Sequence, residues 1–470
     1  MSLDINLPTE VIARAHKRWK RNRDMVAGED AVKAAGIAYL PAINGMTPEE
    51  YQNYNDRVPF FPGASRTHDG LVGLITRKRA TVEAPDGVAK LFVTITRSGH
   101  DLDDLAEEVL SETMVTGFLG MLIDHPTASG AANLRDAEAM GARPFIAPYM
   151  ASSILEVTPG VWNNRQTLVR VRLLDDPETV RELVLDQGVY RIIIHRLIGD
   201  QWTASAPITP LRKGKPLDEI PFVLCTPKAR AFSPVKGPLD DVCSLNVHLF
   251  HAQADAHNSR YYSSAPILTL INVPKPEGGL SIHPGTVLFA QDSTKEKPVE
   301  IKFVEFSGHG QETLENAVGT IKDEMAKLGS NILASERTAA EAAETHQIRR
   351  SSENSVLAGI ARAVSRKIED ALNWVSWWAG EDDDTLIKFA LNTDFVPARM
   401  SSEDRKALLA ELQAGAISQE TFWSLMVEGE ILPEDFDMDE ERQRIAADTA
   451  LVDRPTGDPV EQDDQPAEGE

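Results

Sequence analysis

Residues 239–262, LDDVCSLNVHLFHAQADAHNSRYY, set Val242, Leu245, Leu249, Ala252 and Ala256 at alternating steps of three and four. That spacing draws one apolar stripe down a helix. Pro266 stops it. A second stretch, 312–333, repeats the pattern with Leu314, Val318, Ile321, Met325, Leu328 and Ile332. At ~1.5 Å per residue each helix spans roughly 30–35 Å. A stripe of this kind needs a helical partner. The simplest arrangement is an antiparallel pair that holds whatever lies between away from the body. Two ordinary core helices would show the same period, and spacing alone does not separate the two.

Between these helices, 265–307 holds three short β-branched runs, which begin at Ile267, Thr286 and Val299. Pro274, Pro276, Gly278, Gly279, Pro284, Gly285 and Pro298 punctuate them. Short strands with turn residues between them predict a small β module.

On the N-terminal side, 1–238 reads as one α+β body. Residues 9–26 predict a helix with Ile12, Ala15 and Trp19 on one face. Arg14, Lys17, Arg18, Lys20, Arg21 and Arg23 fill the rest. These cations suit a DNA or partner patch, but a solvated helix face is the commoner meaning. Leu91–Thr96 is strand-like, and 101–122 predicts a helix through Leu102, Leu105, Val109 and Leu110. From Ile154 to Ile198, and again at Ile220–Cys225, the alternation is that of strands. On the C-terminal side, 349–379 predicts a long helix that ends at Trp374, Trp377 and Trp378, followed by a strand through Ile387, Phe389 and Leu391. Small helices begin near Ser401, Ser418 and Met438, with Gly415 as a natural helix stop.

The chain has 470 residues, 42% hydrophobic, with a formal net charge of −24. Acid gathers at the end: 428–470 holds sixteen Asp and Glu against three Arg, so the preceding residues carry −11. The tail from about Ala450 is expected to be disordered, since it has too little apolar surface to bury. A protein that grips nucleic acid normally shows a basic face, so this charge fits one that touches DNA without holding it. Cys225 and Cys243 form no CxxC motif. No apolar run approaches the ~20 residues of a membrane span, and no signal-peptide stretch opens the sequence. These features predict a protein made and kept in the cytoplasm, or in a particle assembled there.

Catalytic signatures are missing. There is no GxxxxGK[ST] loop, GxSxG elbow or HExxH motif. His248 and His251 share a helix face, with His257 about half a turn away; they read as ordinary helix histidines. Asp101, Asp103, Asp104, Glu107 and Glu108 are the densest acid cluster of the body. They could hold Mg²⁺ for nuclease chemistry, yet acids in a first helical turn are what the helix dipole favours anyway. No enzyme, cofactor or metal is predicted.

Several short stretches, in order from Trp19 to Glu441, resemble the portal proteins of tailed bacteriophages. They are Ala35-Gly36, Tyr39-Leu40-Pro41, Glu50-Tyr51, Tyr54 through Arg57, and Leu71-Val72-Gly73-Leu74. Further on come Ile220-Pro221-Phe222, Pro238-Leu239-Asp240-Asp241-Val242, Leu245-Asn246 and Ala265-Pro266. Thr338-Ala339 with Glu341, Asn354, Ile368 to Leu372, Phe395-Val396-Pro397, Ala416 to Ser418 and Thr421 to Trp423 complete the set. Each is weak singly; their order and span carry the resemblance.

The resemblance implies a portal fold within the α+β class. The wing would be 1–238 together with 349–400. The two-helix stem would be 239–262 and 310–330. A β-rich clip at 263–309 would be inserted between the stem helices. A tunnel loop at 331–348, a helical crown at 401–449 and the acidic tail at 450–470 would follow. It implies a ring of twelve subunits at one capsid vertex, with double-stranded DNA passing through. Terminase large subunit, head–tail adaptor, major capsid and scaffolding proteins would be its partners, and no membrane. Localisation would be the portal vertex of the virion, and the host cytoplasm during assembly. The stem seam would be Val242, Leu245 and Leu249 against Leu314, Val318, Ile321, Met325 and Leu328. The tunnel loop would hold Ser335, Glu336, Arg337, Thr338 and Glu341. Sparse cations, Arg337, Lys322 and Lys327, would make any DNA contact. The alternatives are another structural phage head protein, an adaptor or minor capsid component, and a metal-dependent nuclease built on the Asp101 cluster.

Overall fold

The computed structural model describes residues 5–43, 45–126, 142–228, 232–263, 267–271, 287–290, 300–304, 309–333, 355–380, 386–395, 402–428, 431–432 and 436–452. The chain divides into two compact units, 1–395 and 396–470. Its class is α+β, as the sequence predicts.

In the first unit, α1 (Glu10–Ala27) joins two apolar cores. Ile12, Ala15 and Trp19 face one, and Met25 faces the other. Then come α2 (Glu29–Ala35), α3 (Pro48–Arg57), α4 (Gly63–Thr76) and a short α5 (Asp86–Ala89). Thr47 and Glu50 close a reciprocal capping box at the start of α3. The strand expected at Leu91–Thr96 is instead a 3₁₀ turn over Phe92–Thr94. There Val93 is exposed, and only Thr96 bridges to a strand, at Ile146. β-propensity is overridden where only the end of the segment meets a neighbouring strand.

The central helix α6 (Leu102–Thr116) buries Leu102, Leu105, Val109 and Leu110. The expected helix to Leu122 is cut short. Gly117 takes φ +70°, and the chain turns into β2 (Leu119–Asp124). A left-handed glycine is a natural helix stop, and a fully apolar run after it cannot be told from helix by period alone. β2 lies between β11 (Phe222–Cys225) and β3 (Phe145–Met150), antiparallel to both.

An antiparallel meander forms a five-stranded sheet. Its strands are β4 (Ile154–Trp162), β5 (Arg165–Asp176), β6 (Thr179–Asp186), β7 (Val189–Ile198) and β8 (Gln201–Ala204). One face packs Val171, Leu173, Leu183 and Ile192 against Trp19, Phe118 and Phe222. The other face bears a buried polar ladder. Arg172 Nε donates to Glu156 at 2.6 Å, Arg170 pairs with Glu182 at 2.6 Å, and His195 meets Glu182 at 2.7 Å. A small hairpin, β9 (Leu211–Arg212) with β10 (Lys215–Pro216), follows.

Helix α7 (Asp240–Ser263) leads to β12 (Ile267–Ile271), β13 (Val287–Ala290) and β14 (Glu300–Val304). These form a three-stranded sheet with β12 in the middle, parallel to β13 and antiparallel to β14. Helix α8 (His309–Leu333) follows, then α9 (Val356–Ala379). Ser355 caps α9, and its apolar face from Leu357 to Val375 lines the larger core. β15 (Lys388–Ala390) pairs with β1 (Thr81–Glu83).

The second unit holds α10 (Ser402–Gln413), α11 (Gln419–Glu428) and α12 (Met438–Val452). Gly415 ends α10 at φ +70°, and Ser418 Oγ accepts from the Thr421 N–H at the start of α11. Trp423 is buried against Phe436. Ser401, near which the sequence predicts the first of these helices to begin, and the tail beyond Val452 lie outside the described residues; α12 itself runs past the expected tail start at Ala450.

Candidate functional site

The feature that the sequence reading singles out, two striped helices around a β module, is present as α7, the β12–β14 sheet and α8. Contacts fix the sense of the pair. Asn246, early in α7, and Met325, late in α8, both reach the start of α4. Arg260, late in α7, meets Glu315, early in α8, at 2.9 Å. The helices are therefore antiparallel.

The root of α7 is bound into the body. Asp240 is 7% exposed and accepts from Arg21 at 2.7 Å and Asn22 at 3.0 Å, with Arg18 and Lys236 also within ion-pair reach. Asn22 also donates to the Val115 carbonyl and Trp19 to that of Thr116. The chain before α7 lies so close to α6 that a Cβ on Gly237 would sit 2.7 Å from Val115 O. Further along, Asn246 is fully buried. Its Oδ1 accepts from the Ala64 N–H at 2.8 Å and its Nδ2 donates to Phe61 O at 3.1 Å. That side chain satisfies a backbone donor at the start of α4, where the helix has no partner of its own to offer.

The expected seam is partly a core. Val242 and Leu249 are buried together with Cys243 and Phe250, so the first half of α7 is covered on more than one side. Leu245 is half-buried against the same core. The root of α7 is thus a core helix of the body. Among the described side chains of α8 only Met325 is buried; Val318, Ile321, Leu328 and Ile332 pack half-buried on the core, and Leu314 is half-buried. The other face of α8, with Thr313, Asn316, Thr320, Asp323, Glu324 and Lys327, is exposed.

Lys322 is not a free cation, because its ammonium lies over the Phe61 ring at 4.8 Å. Lys327 is exposed. Arg337 and the other expected loop residues, Ser335, Glu336, Thr338 and Glu341, lie outside the described residues. The basic face of α1 is neither a bare patch nor merely solvated. Arg18 and Arg21 serve Asp240, and Arg23 pairs with the buried Glu112.

Elsewhere the chemistry is structural. Asp101 Oδ1 accepts from the Asp104 N–H at 2.8 Å and caps α6. Among the described residues no group of three or more His, Cys, Asp or Glu is arranged to hold a metal ion. His251 contacts the Tyr39 carbonyl, and the rings of His248 and His251 stand 6.4 Å apart. Both thiols are buried, and burial pushes Cys225 up to about 11 and Cys243 up to about 12. Reactive thiolates need the opposite shift. No helix of the described residues is long and apolar enough to cross a membrane.

At the distal half of α7, two arginines and a histidine gather that sequence reading did not join. Arg57, at the end of α3, stacks on the Tyr261 ring with its guanidinium carbon 4.7 Å from the centroid. His257 and Arg260 lie one turn apart on α7. Burial and the charges of Arg260 and Arg57 hold the His257 pKa below its ordinary value. Some 200 positions of sequence separate α3 from this helix end, and no local pattern signals the contact.

The family described as Domain of unknown function (DUF4055) matches residues 238–379. That stretch runs from the root of α7 to the last residue of α9 and takes in the β module. No curated protein matches the chain. Solved structures that align with it include a chain of the neck of an empty GTA particle computed with C6 symmetry. It is 13% identical, with 83% of this chain and 95% of that chain covered and a TM-score of 0.42. Another is a chain of the virion of a native gene transfer agent (GTA) particle, 14% identical, with 87% and 99% covered and a TM-score of 0.40.

Proposed function

We propose that this chain is a portal subunit, a non-enzymatic ring component that forms the DNA passage at one vertex of a tailed-phage-like capsid. One observation carries the reading: an antiparallel pair of long helices, rooted in an α+β body, presents a three-stranded sheet inserted between them. A single-chain enzyme has no evident use for that layout. A ring does, because each subunit must present one set of elements to a neighbour and another to a central passage, through contacts that are not self-complementary.

In this reading α7 and α8 are the stem, the β12–β14 sheet is the clip, the rest of the first unit is wing and the second unit is crown. The tunnel loop belongs to 331–348. The stem begins further out than residue 239, because the first turns of α7 are wing core. The net charge of −24 suits a passage, since each neutralised phosphate adds a salt-dependent hold that would slow moving DNA. With Lys322 laid on Phe61, Lys327 is the more open of the two stem lysines, and in the loop the expected DNA contact is Arg337. Terminase, adaptor, capsid and scaffolding proteins are the partners that this role entails, with a ring of twelve as the assembly. Electron microscopy of the purified full chain tests it: rings with a central channel are expected, and a compact monomer at high concentration contradicts it.

A further inference from the structure

We propose that Arg57, His257 and Arg260 form a phosphate-binding site on the distal half of α7, and that its ligand is the backbone of duplex DNA. The duplex is taken as partner from the portal reading; the site itself rests on its own geometry. Its groups come from two elements. Arg57 stands on α3, with its guanidinium plane supported by the Tyr261 ring. Stacking of this kind leaves the edge donors of an arginine available to an anion while it fixes the plane. His257 and Arg260 stand one turn apart on α7, and Tyr261, which carries Arg57, is one turn from His257 on the same helix.

Among the described residues no carboxylate lies within ion-pair distance of Arg57. This contrasts with the cations of α1, nearly all of which are spent on internal partners. Arg260 is shared with Glu315 of α8, at side-chain exposures of 60% and 50%, so it keeps donors for a second anion. Asp255 on α7 and Asp56 on α3 are the other acids of these helices nearby, and both are exposed. Tyr54 is neutral, its hydroxyl pushed up to about 12 by burial and then by Asp255.

Glu315 offsets part of the charge of Arg260, yet the two guanidiniums still disfavour a protonated imidazole. A phosphate placed among the three removes that repulsion and favours the charged imidazole. Binding should therefore tighten as pH falls, because His257 gains a proton that the free site resists. Inorganic phosphate offers the same oxygens as a DNA backbone, so the two sources need separating.

The test is fluorescence anisotropy of a labelled 30-base-pair duplex with the full chain, over a chloride series at pH 7.5 and pH 5.5. Arg57→Gln/Arg260→Gln should bind about tenfold more weakly and lose about two from the log–log salt slope, one for each phosphate contact. Arg57→Lys/Arg260→Lys should recover most of the affinity. His257→Gln should lose most of the wild-type gain between pH 7.5 and pH 5.5. All substituted side chains are at least partly exposed, and circular dichroism with electron microscopy of the same samples reports folding and assembly. Unchanged affinity and slope in the Gln pair, with folding intact, overturns the site. Inorganic phosphate that displaces the duplex fully, at an ionic strength where chloride does not, overturns DNA as the ligand. Absent rings with the Gln-pair effect retained would count against the portal reading alone.

Discussion

Asp240 is held 7% exposed while Arg18, Arg21, Asn22 and Lys236 converge on it. A carboxylate in that position serves as a bolt: it ties α1 to the first turn of α7, where its charge also suits the helix N-terminus. Removing it leaves two guanidiniums without their partner. For a fully buried pair that costs roughly 3–5 kcal/mol. Here Arg18 and Arg21 keep 32% and 26% exposure, so solvent recovers part of it. Asp240→Ala is expected to lower the unfolding free energy by about 2–3 kcal/mol in urea titrations, with Arg14→Ala, at an exposed pair, near zero. Of this network the sequence shows only ingredients. The basic helix and the Asp240-Asp241 pair are both plain in it, but nothing local says that they meet. Helical period reports which face is apolar; it does not report which distant carboxylate a cation will find.

Among the elements, α7 shows how far period carries. Its boundaries and those of α8 follow from steps of three and four and from Pro266, and the three strands between follow from β-branched runs between turn residues. What period could not supply is the depth to which α7 is buried. That depth depends on Asn246, a polar residue outside the apolar stripe, which holds Phe61 O and the Ala64 N–H. Asn246→Leu keeps the volume but strands both backbone groups, so it should cost about 2–4 kcal/mol of stability and loosen α4 in hydrogen exchange. The five-stranded sheet makes a different prediction. Burial raises the Glu156 pKa, but hydrogen bonds from Thr158 and Arg172 and the charges of Arg172 and Arg170 outweigh it and leave the pKa below its ordinary 4.5. A depressed carboxylate adds stability that is full above 4.5 and drains away as pH falls through the lower folded value. Glu156→Gln should therefore narrow the gap to the wild type in urea midpoint as pH drops below 4.5; a gap that does not change with pH would remove the ionised carboxylate from the sheet's stability.

At the scale of the whole molecule, the α+β class and the helix–sheet–helix order were legible because each rests on local patterning. The break at Gly117 and the 3₁₀ turn at Phe92–Thr94 were not. The first needed a backbone angle, and the second needed to know that a strand would meet only the end of the segment. The antiparallel sense of the helix pair also emerges only from contacts, at Asn246, Met325, Arg260 and Glu315. Function is a property of the assembly in this account. A seam half-covered on α8 and a face of that helix left outward are features that a single subunit leaves incomplete. The most direct measurement is cryo-electron microscopy of the purified full chain, with sedimentation velocity on the same sample. The portal account predicts closed rings with an open central channel and a sedimenting species many times the 51.6 kDa of the chain. A single compact species at the mass of one subunit, unchanged up to high concentration, would contradict it.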